Sequence, residues 1–147
     1  MMKRIITFLL GVAFAAALSL NTTAAAAAND EVDKHPIDVA LEEKIDADSS
    51  TAGMIEASQW AEEEWDKLLN TNYQALMKKL DKESQEKLRN SQREWVKFRD
   101  LEFEFNGNFY GGFEGTMYRV FAAGFRADFV RERALRLGAY LEQMNER

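Results

Sequence analysis

Apolar residues recur at intervals of three or four along most of this chain, which is the period of an amphipathic helix. Pro36 is typical of a first helical turn, and the apolar spacing after it predicts a short helix over 36–46. The same spacing, from Met54 to Leu76, predicts a long second helix over 51–80. Since no segment alternates apolar and polar residues convincingly, the pattern argues against a sheet.

Two further helices are predicted, separated by a glycine-rich segment. Asp81 is a suitable N-cap for a third helix over 82–105, and apolar spacing predicts a fourth helix over 116–145. Between them, residues 106–115 contain four of the chain's eight glycines and are therefore predicted to form a loop. The predicted fold class is all-α: three long helices in an up-down-up bundle and a short N-terminal helix, without disulfides because the chain has no cysteine.

The beginning of the chain has the order of a secretory signal peptide. Lys3 and Arg4 precede an almost unbroken apolar run over 5–20, and small residues then lead to a run of alanines that ends at Ala28. The apolar run is shorter than the roughly 20 residues of a spanning helix, so we expect no membrane anchor after cleavage. We predict periplasmic or secreted localisation, with a signal peptide over 1–28, a flexible segment over 29–34 and a helical domain over 35–147.

Charge limits the classes of partner. The 147 residues carry 19 basic and 25 acidic side chains, and loss of Lys3 and Arg4 with the signal peptide changes the net charge from −6 to −8. Nucleic acid and anionic lipid repel such a polyanion, so we expect no nucleic-acid partner. The charge either steers the protein toward basic partners or simply keeps it soluble.

The sequence offers few catalytic or metal-binding residues. The absence of cysteine excludes thiolate chemistry, and His35 has no second histidine with which to hold zinc, so we interpret it as a capping or surface residue. None of the six serines lies in a Gly-x-Ser-x-Gly motif. Carboxylates are too numerous for any pair to be informative, and a carboxylate enzyme therefore stays open as a third possibility. We predict a non-enzymatic protein that has no catalytic residues and needs no cofactor or metal.

Charged residues on the apolar stripes form one candidate set. A charge on such a stripe must find a partner, which predicts a partly buried ion-pair network between helices. The alternative interpretation of the same residues is a ligand site. For the Arg99 guanidinium the expected partner is Glu132, with Asp66 as the second choice. The set consists of Asp66, Arg99, Asp100, Glu132 and Arg133.

Aromatic residues form the other candidate set. Phe109, Tyr110, Phe113 and Glu114 lie in the predicted glycine-rich loop and are a candidate partner-binding loop, because exposed rings reduce solubility unless they bind something. The alternative is a loop that folds back over the open end of the bundle. Trp60 lies away from the main stripe of its helix and is interpreted as packing on the short first helix, the alternative being an exposed binding residue.

The order and spacing of several residue blocks resemble the LprI-type lysozyme inhibitor family. The specific parts are the Leu-Asn…Tyr block at 69–73 and the Gln…Trp…Phe-Arg-Asp block at 92–100, and the similarity covers nearly the whole chain after the predicted signal peptide. The blocks are His35-Pro36-Ile37-Asp38; Ser50-Thr51-Ala52-Gly53-Met54; Trp65-Asp66, Leu69-Asn70, Tyr73 and Leu76; Leu88-Arg89, Gln92, Trp95 and Phe98-Arg99-Asp100; Gly115-Thr116; and Arg131-Glu132-Arg133 with Leu137.

The resemblance implies an exported helical domain. Relatives often carry cysteines where this chain has Lys44 and Ala57 and, in other branches, at Phe103 and Phe125, so this chain resembles a cysteine-free member. Where some relatives place a disulfide, we predict that the rings of Phe103 and Phe125 touch instead. The chain also has no lipobox cysteine, which indicates a periplasmic protein rather than a lipoprotein.

Two functions from different classes follow. The first is a periplasmic, non-enzymatic binding protein that resembles lysozyme inhibitors, with a basic envelope hydrolase such as a lysozyme as its partner. The physical support for it is the acidic chain and the aromatic loop that could enter a cleft. The second is a structural or adaptor protein of the cell envelope with no hydrolase target.

Overall fold

The computed structural model describes residues 34–146, which form four helices and no strand. The predicted all-α class, with three long helices and a short N-terminal one, is confirmed. The predicted signal peptide and residues 29–33 lie outside the described residues. Lys34 is described, and its Nζ lies 2.7 Å from a carboxylate oxygen of Glu42. The helices are α1 (Pro36–Ala47), α2 (Thr51–Lys79), α3 (Lys82–Gly111) and α4 (Met117–Asn145).

Side-chain caps fix the start of the first three helices. The backbone N–H of Ile37 donates to Nδ1 of His35, which confirms the capping interpretation of this histidine. Ser50 Oγ accepts from the backbone N–H of Gly53 at 3.0 Å, and Asp81 Oδ1 accepts from that of Ser84 at 2.7 Å. Each cap satisfies an N–H that the helix itself leaves without a partner.

The core lies between α2 and α4, which run parallel. Trp65 and Leu69 of α2 meet Val130 and Leu137 of α4, and all four are at most 2% exposed. Ala134, which is fully buried, allows the two backbones to approach closely. Contacts between the two helices advance together along the chain, from 51 with 116 to 79 with 145. Helix α3 connects the end of α2 to the start of α4 and therefore runs in the opposite direction to both. The three long helices thus have the predicted up-down-up order.

Helix α1 packs across α2 and also reaches α4, since Asp38 of α1 pairs with Arg131 of α4. The ring of His35 lies 4.4 Å from that of Trp65, and the Nζ of Lys44 lies 4.7 Å from the centre of the Trp60 ring. Trp60 also packs against the core as a partly buried residue. The interpretation of Trp60 as covering α1 is therefore confirmed.

Helix α3 is the outer helix of the bundle and packs mainly on α4. Its contact centres on Phe129 of α4, whose ring lies 5.7–6.0 Å from those of Trp95, Phe98 and Phe103. Phe125 also contacts Phe129, at 5.9 Å. The predicted direct contact of Phe103 with Phe125 is therefore wrong: among the ring contacts of the described residues, each packs on Phe129, which lies between them.

Candidate functional site

The end of the bundle at which α3 passes into α4 carries a cluster of aromatic rings. Helix α3 continues to Gly111, beyond the predicted end at 105, and α4 begins at Met117. The chain reverses over residues 112–116, where Gly115 has a φ of +107°, a conformation that side chains other than glycine rarely adopt. The predicted loop over 106–115 is thus corrected to a short turn.

This correction changes the setting of the candidate partner-binding residues. Phe109 and Tyr110 lie in the last turns of α3, and only Phe113 and Glu114 lie in the turn itself. Two helices therefore hold most of the rings, so their positions are more fixed than those of a loop. We call six of these rings the aromatic tip: Phe105, Phe109, Tyr110, Phe113, Tyr118 and Phe121.

The rings of the aromatic tip pack on one another in a continuous chain. The Phe109 ring lies 5.1 Å from that of Phe113 and 5.8 Å from that of Phe105. Phe113 stacks on Tyr118 at 4.8 Å, and Tyr118 meets Phe121 edge-on at 6.0 Å. These separations are typical of stabilising aromatic pairs. None of these rings belongs to the core cluster between α2 and α4.

The aromatic tip leaves a large apolar area in contact with solvent. Phe105 is 62% exposed, Phe109 and Phe121 about half exposed, and Phe113 45% exposed; Met117, also half exposed, extends the same patch. Since an aromatic side chain can bury about 150–250 Å², the patch presents roughly 400 Å² or more. Apolar patches of this size on a monomer commonly mark interaction sites. The sequence left two interpretations open, an exposed partner-binding loop and a loop that folds back over the bundle. The rings show features of both, because they pack on one another and yet remain exposed.

The charge around the aromatic tip is mainly negative. Between residues 100 and 118 the chain contains four carboxylates, Asp100, Glu102, Glu104 and Glu114, and neither lysine nor arginine. Arg119 is the first cation after this stretch. The end of the bundle is thus an apolar surface bordered mainly by negative charge, with Arg119 as the one cation over residues 100–121. This balance favours a basic partner surface.

The predicted ion-pair network does not form as expected. Arg99 donates from Nε and Nη2 to Oδ1 of its neighbour Asp100, and neither Glu132 nor Asp66 is its partner. Glu132 is exposed, so it needs no cationic partner. Asp66 accepts instead from Asn70, one turn along α2.

Arg133 shows why the pairing was mispredicted. It donates to Gln92 at 3.0 Å and to Ser91 at 3.3 Å, so neutral oxygens of α3 satisfy it where a carboxylate was expected. Burial lowers the pKa of Arg133 from its ordinary value. The predicted set is thus distributed over three helices and makes no single network.

Two other ion pairs join the helices, and sequence reasoning missed both. Arg131 of α4 donates to both oxygens of Asp38 in α1, with the closest contact at 2.8 Å, and these hydrogen bonds raise the pKa of Arg131. Arg126 of α4 donates two hydrogen bonds of 2.9 Å to Glu62 in α2, which raise the pKa of Arg126. Both pairs have the two-pronged geometry that makes arginine–carboxylate contacts specific.

The sequence of this chain matches that of a known protein family. The sequence pattern of the family described as lysozyme inhibitor LprI matches residues 42–137. The chain belongs to the LprI family. The match includes α2, α3, the turn and most of α4, and so it covers the aromatic tip and the core, which confirms the resemblance drawn from the sequence blocks.

A solved structure of similar sequence supports the same fold. The crystal structure of an uncharacterized protein from Burkholderia thailandensis is 32% identical to this LprI member, with a TM-score of 0.72. The similarity covers 77% of this chain and 57% of that one, so the chain spans little more than half of the other protein's length. No curated protein matches the chain.

The motif residues that carry the LprI resemblance have identifiable structural roles. His35 caps α1, and the carboxylate of Asp38, three residues later, accepts hydrogen bonds from Arg131 of the last motif. The side chain of Gln92 accepts a hydrogen bond from Arg133 of the same motif. These motif residues therefore help to hold α1 and α3 onto α4.

Within residues 34–146 of this LprI chain, no cluster of three or more His, Asp or Glu side chains is arranged to hold a metal ion. No helix in the same part of the chain is long and apolar enough to cross a membrane.

Proposed function

We propose that this LprI protein is a non-enzymatic periplasmic binding protein that inhibits a basic hydrolase of the lysozyme type through its aromatic tip. The observation that carries the proposal is the joint presence, at one end of the bundle, of half-exposed rings and of carboxylates that outnumber the one cation, Arg119, over residues 100–121. Family membership supports lysozyme as the kind of partner, since the family is described as lysozyme inhibitors.

Rings and carboxylates would contribute differently to the complex. Exposed aromatic side chains supply most of the binding free energy at protein interfaces, because they bury large apolar area with little loss of conformational freedom. Phe109 and Phe113, whose rings touch and are each about half exposed, are the expected anchors. Glu104 and Glu114 would speed association with a cationic surface and set the orientation of the complex.

Inhibition would follow from the position of these groups. Phe113 and Glu114 lie in the turn that joins α3 to α4, at the end of the bundle. An end of this kind can enter the cleft of a hydrolase, whereas a flat helix face cannot. Occupation of the cleft would exclude the glycan substrate without any chemical step by the inhibitor.

A lysis assay tests the proposal. Purified protein is titrated into a lysozyme that degrades cell-wall glycan, and we expect the rate of lysis to fall and to level off as the protein reaches molar excess. An unchanged rate at micromolar excess would contradict the proposal and favour the structural or adaptor function. Binding is then repeated at about 1 M salt, where charges farther apart than about 3 Å are screened. Complete loss of binding at this salt concentration would show that only attraction between opposite charges holds the complex together.

Export is tested separately. Mass spectrometry of a periplasmic extract should find the protein beginning near Asn29, as the signal-peptide pattern predicts. A chain that retains Met1 in the membrane fraction would contradict periplasmic release.

A further inference from the structure

A cavity lies beside the aromatic tip, between α2, α3 and α4. Its volume is about 520 Å³, within the range of sites that hold small molecules. Three kinds of residue with polar side chains line it: the amides Gln59 and Asn106, the tyrosines Tyr110 and Tyr118, and the arginines Arg119 and Arg126. The proposed function uses the outer surface of the tip and leaves this cavity without a role.

Asn106 is the residue that points most directly to a ligand. It is only 4% exposed and is the one buried residue of α3. Its side-chain amide forms no hydrogen bond with the described residues, although buried amides are normally paired. Since no side-chain polar atom of those residues is both shut off from solvent and unpaired, this amide faces accessible space, which is the cavity that it lines.

Two glycines keep the wall of the cavity open. Gly107 and Gly111 both line it and both lie inside α3, where their φ angles are negative and glycine is not required by the backbone. Glycine weakens a helix at such positions. A Cβ added at either position would meet no other atom within 4 Å, so each glycine leaves space that a side chain would otherwise fill.

The charge of the cavity is opposite to that of the whole chain. Arg126 is paired with Glu62, whose carboxylate also lines the cavity, and these two charges offset each other. Arg119 is exposed at the cavity and forms no ion pair within residues 34–146. One uncompensated positive charge therefore remains beside the two amides, although the chain carries a net charge of −6.

We propose that this cavity binds a small N-acylated amino sugar that carries a carboxylate. Arg119 binds the carboxylate through charge-assisted hydrogen bonds. The Asn106 amide donates to the carbonyl and accepts from the N–H of the acylamino group, with Gln59 as a second amide at the wall. Tyr110 and Tyr118 provide flat apolar faces for the sugar ring. Binding is non-covalent and does not depend on the hydrolase partner.

The test compares two sugars that differ in the carboxylate. Purified protein is titrated with N-acetylmuramic acid and with N-acetylglucosamine, which has the same ring and acetamido group but no acid, while NMR follows the side-chain NH₂ signals of Asn106. We expect both sugars to shift these signals, with the acidic sugar binding about tenfold or more tightly. In Arg119→Gln this preference should disappear. Failure of the acidic sugar to shift the signals, or an unchanged preference in Arg119→Gln, would overturn the proposal.

A substitution that fills the cavity provides an independent test of the proposal. Gly107→Leu places a side chain in the open space, so the variant should keep the thermal stability of the wild type and lose binding of the acidic sugar. Gly124→Leu is the matched control, because Gly124 also lies in a helix with open space around its added Cβ but does not line the cavity. The control should bind as the wild type does. Retention of binding by folded Gly107→Leu would place the ligand elsewhere and overturn the proposal.

Discussion

The guanidinium carbon of Arg126 in α4 lies 4.1 Å from the centre of the Phe103 ring in α3. The same guanidinium donates two hydrogen bonds to Glu62 in α2. One side chain therefore connects all three long helices. The connection matters because α3 packs mainly on α4 and buries only one of its own residues.

Replacement of Arg126 by alanine should lower the free energy of unfolding by about 1 kcal/mol. The variant loses two charge-assisted hydrogen bonds and the contact with the Phe103 ring, and it leaves the largely buried Glu62 unpaired. Solvent reduces the effect, because the Arg126 side chain is 44% exposed. Urea denaturation measures the change. Arg136→Ala, which removes an exposed arginine of the same helix, should cost less than about 0.5 kcal/mol. Equal losses in both variants would show that the Arg126 contacts contribute nothing.

Phe129 should be among the most costly residues to truncate in α4. Its ring contacts four others, those of Trp95, Phe98, Phe103 and Phe125. Phe129→Ala should therefore lower stability by about 3 kcal/mol and loosen α3, as measured by urea denaturation and by faster amide exchange in α3. Leu135→Ala, at an exposed position of α4, is the control and should have little effect. Unchanged exchange in α3 would show that other contacts hold this helix.

Two glycines in helices should respond to alanine in opposite directions. At Gly53, an added Cβ would collide with the side chain and backbone carbonyl of Asp48, so Gly53→Ala should destabilise the protein. At Gly107, the added Cβ meets nothing within 4 Å, so Gly107→Ala should stabilise it by about 0.5–1 kcal/mol. Thermal unfolding of both variants measures the difference, and an equal response would contradict the packing described around Gly53.

The N-cap of α3 should make part of the stability depend on pH. Hydrogen bonds from the backbone and side chain of Ser84 lower the pKa of Asp81 below its ordinary value of 3.8. Because the folded-state pKa is depressed, this stabilisation is present above pH 3.8 and is lost as pH falls through the lower folded-state pKa. Asp81→Ala should therefore lower the melting temperature at pH 7 and have a smaller effect near pH 3. Asp46→Ala, which removes an exposed carboxylate that caps no helix, is the control and should lower the melting temperature at pH 7 less than Asp81→Ala does. A constant Asp81→Ala effect between the two pH values would exclude the carboxylate as the stabilising group.

Helix periodicity and capping residues were sufficient to predict most of the fold. The starts of α1 and α3 follow from Pro36 and Asp81, whose local chemistry does not depend on the rest of the molecule. The predicted end of α3 at 105 is wrong, because Gly107 and Gly111 are tolerated inside the helix and do not end it. In the structure, the rings of Phe105, Phe109 and Phe113 contact one another along the end of the helix, beside these glycines. Their spacing of four residues was the available signal that the helix continues.

The candidate site could be predicted only in part. Phe109, Tyr110 and Phe113 of the aromatic tip are close to one another along the chain, so the sequence alone predicted that they form one group. Ion pairs could not be assigned in the same way, since Asp38 and Arg131 are 93 residues apart and many other carboxylates were possible partners. The cavity beside Asn106 was missed for the same reason, because it depends on how three helices meet.

The central claim is that the aromatic tip binds a lysozyme-type hydrolase, and the affinity of a tip variant tests it most directly. Kd is measured by calorimetry for the wild type, for Phe109→Ala/Phe113→Ala, and for Val39→Ala/Leu135→Ala, which removes exposed apolar side chains outside the tip. The tip variant should bind about 1,000-fold more weakly than the wild type, since each of the two anchors contributes on the order of 2 kcal/mol, and the control should match the wild type. Equal affinities of a folded tip variant and the wild type would contradict the claim.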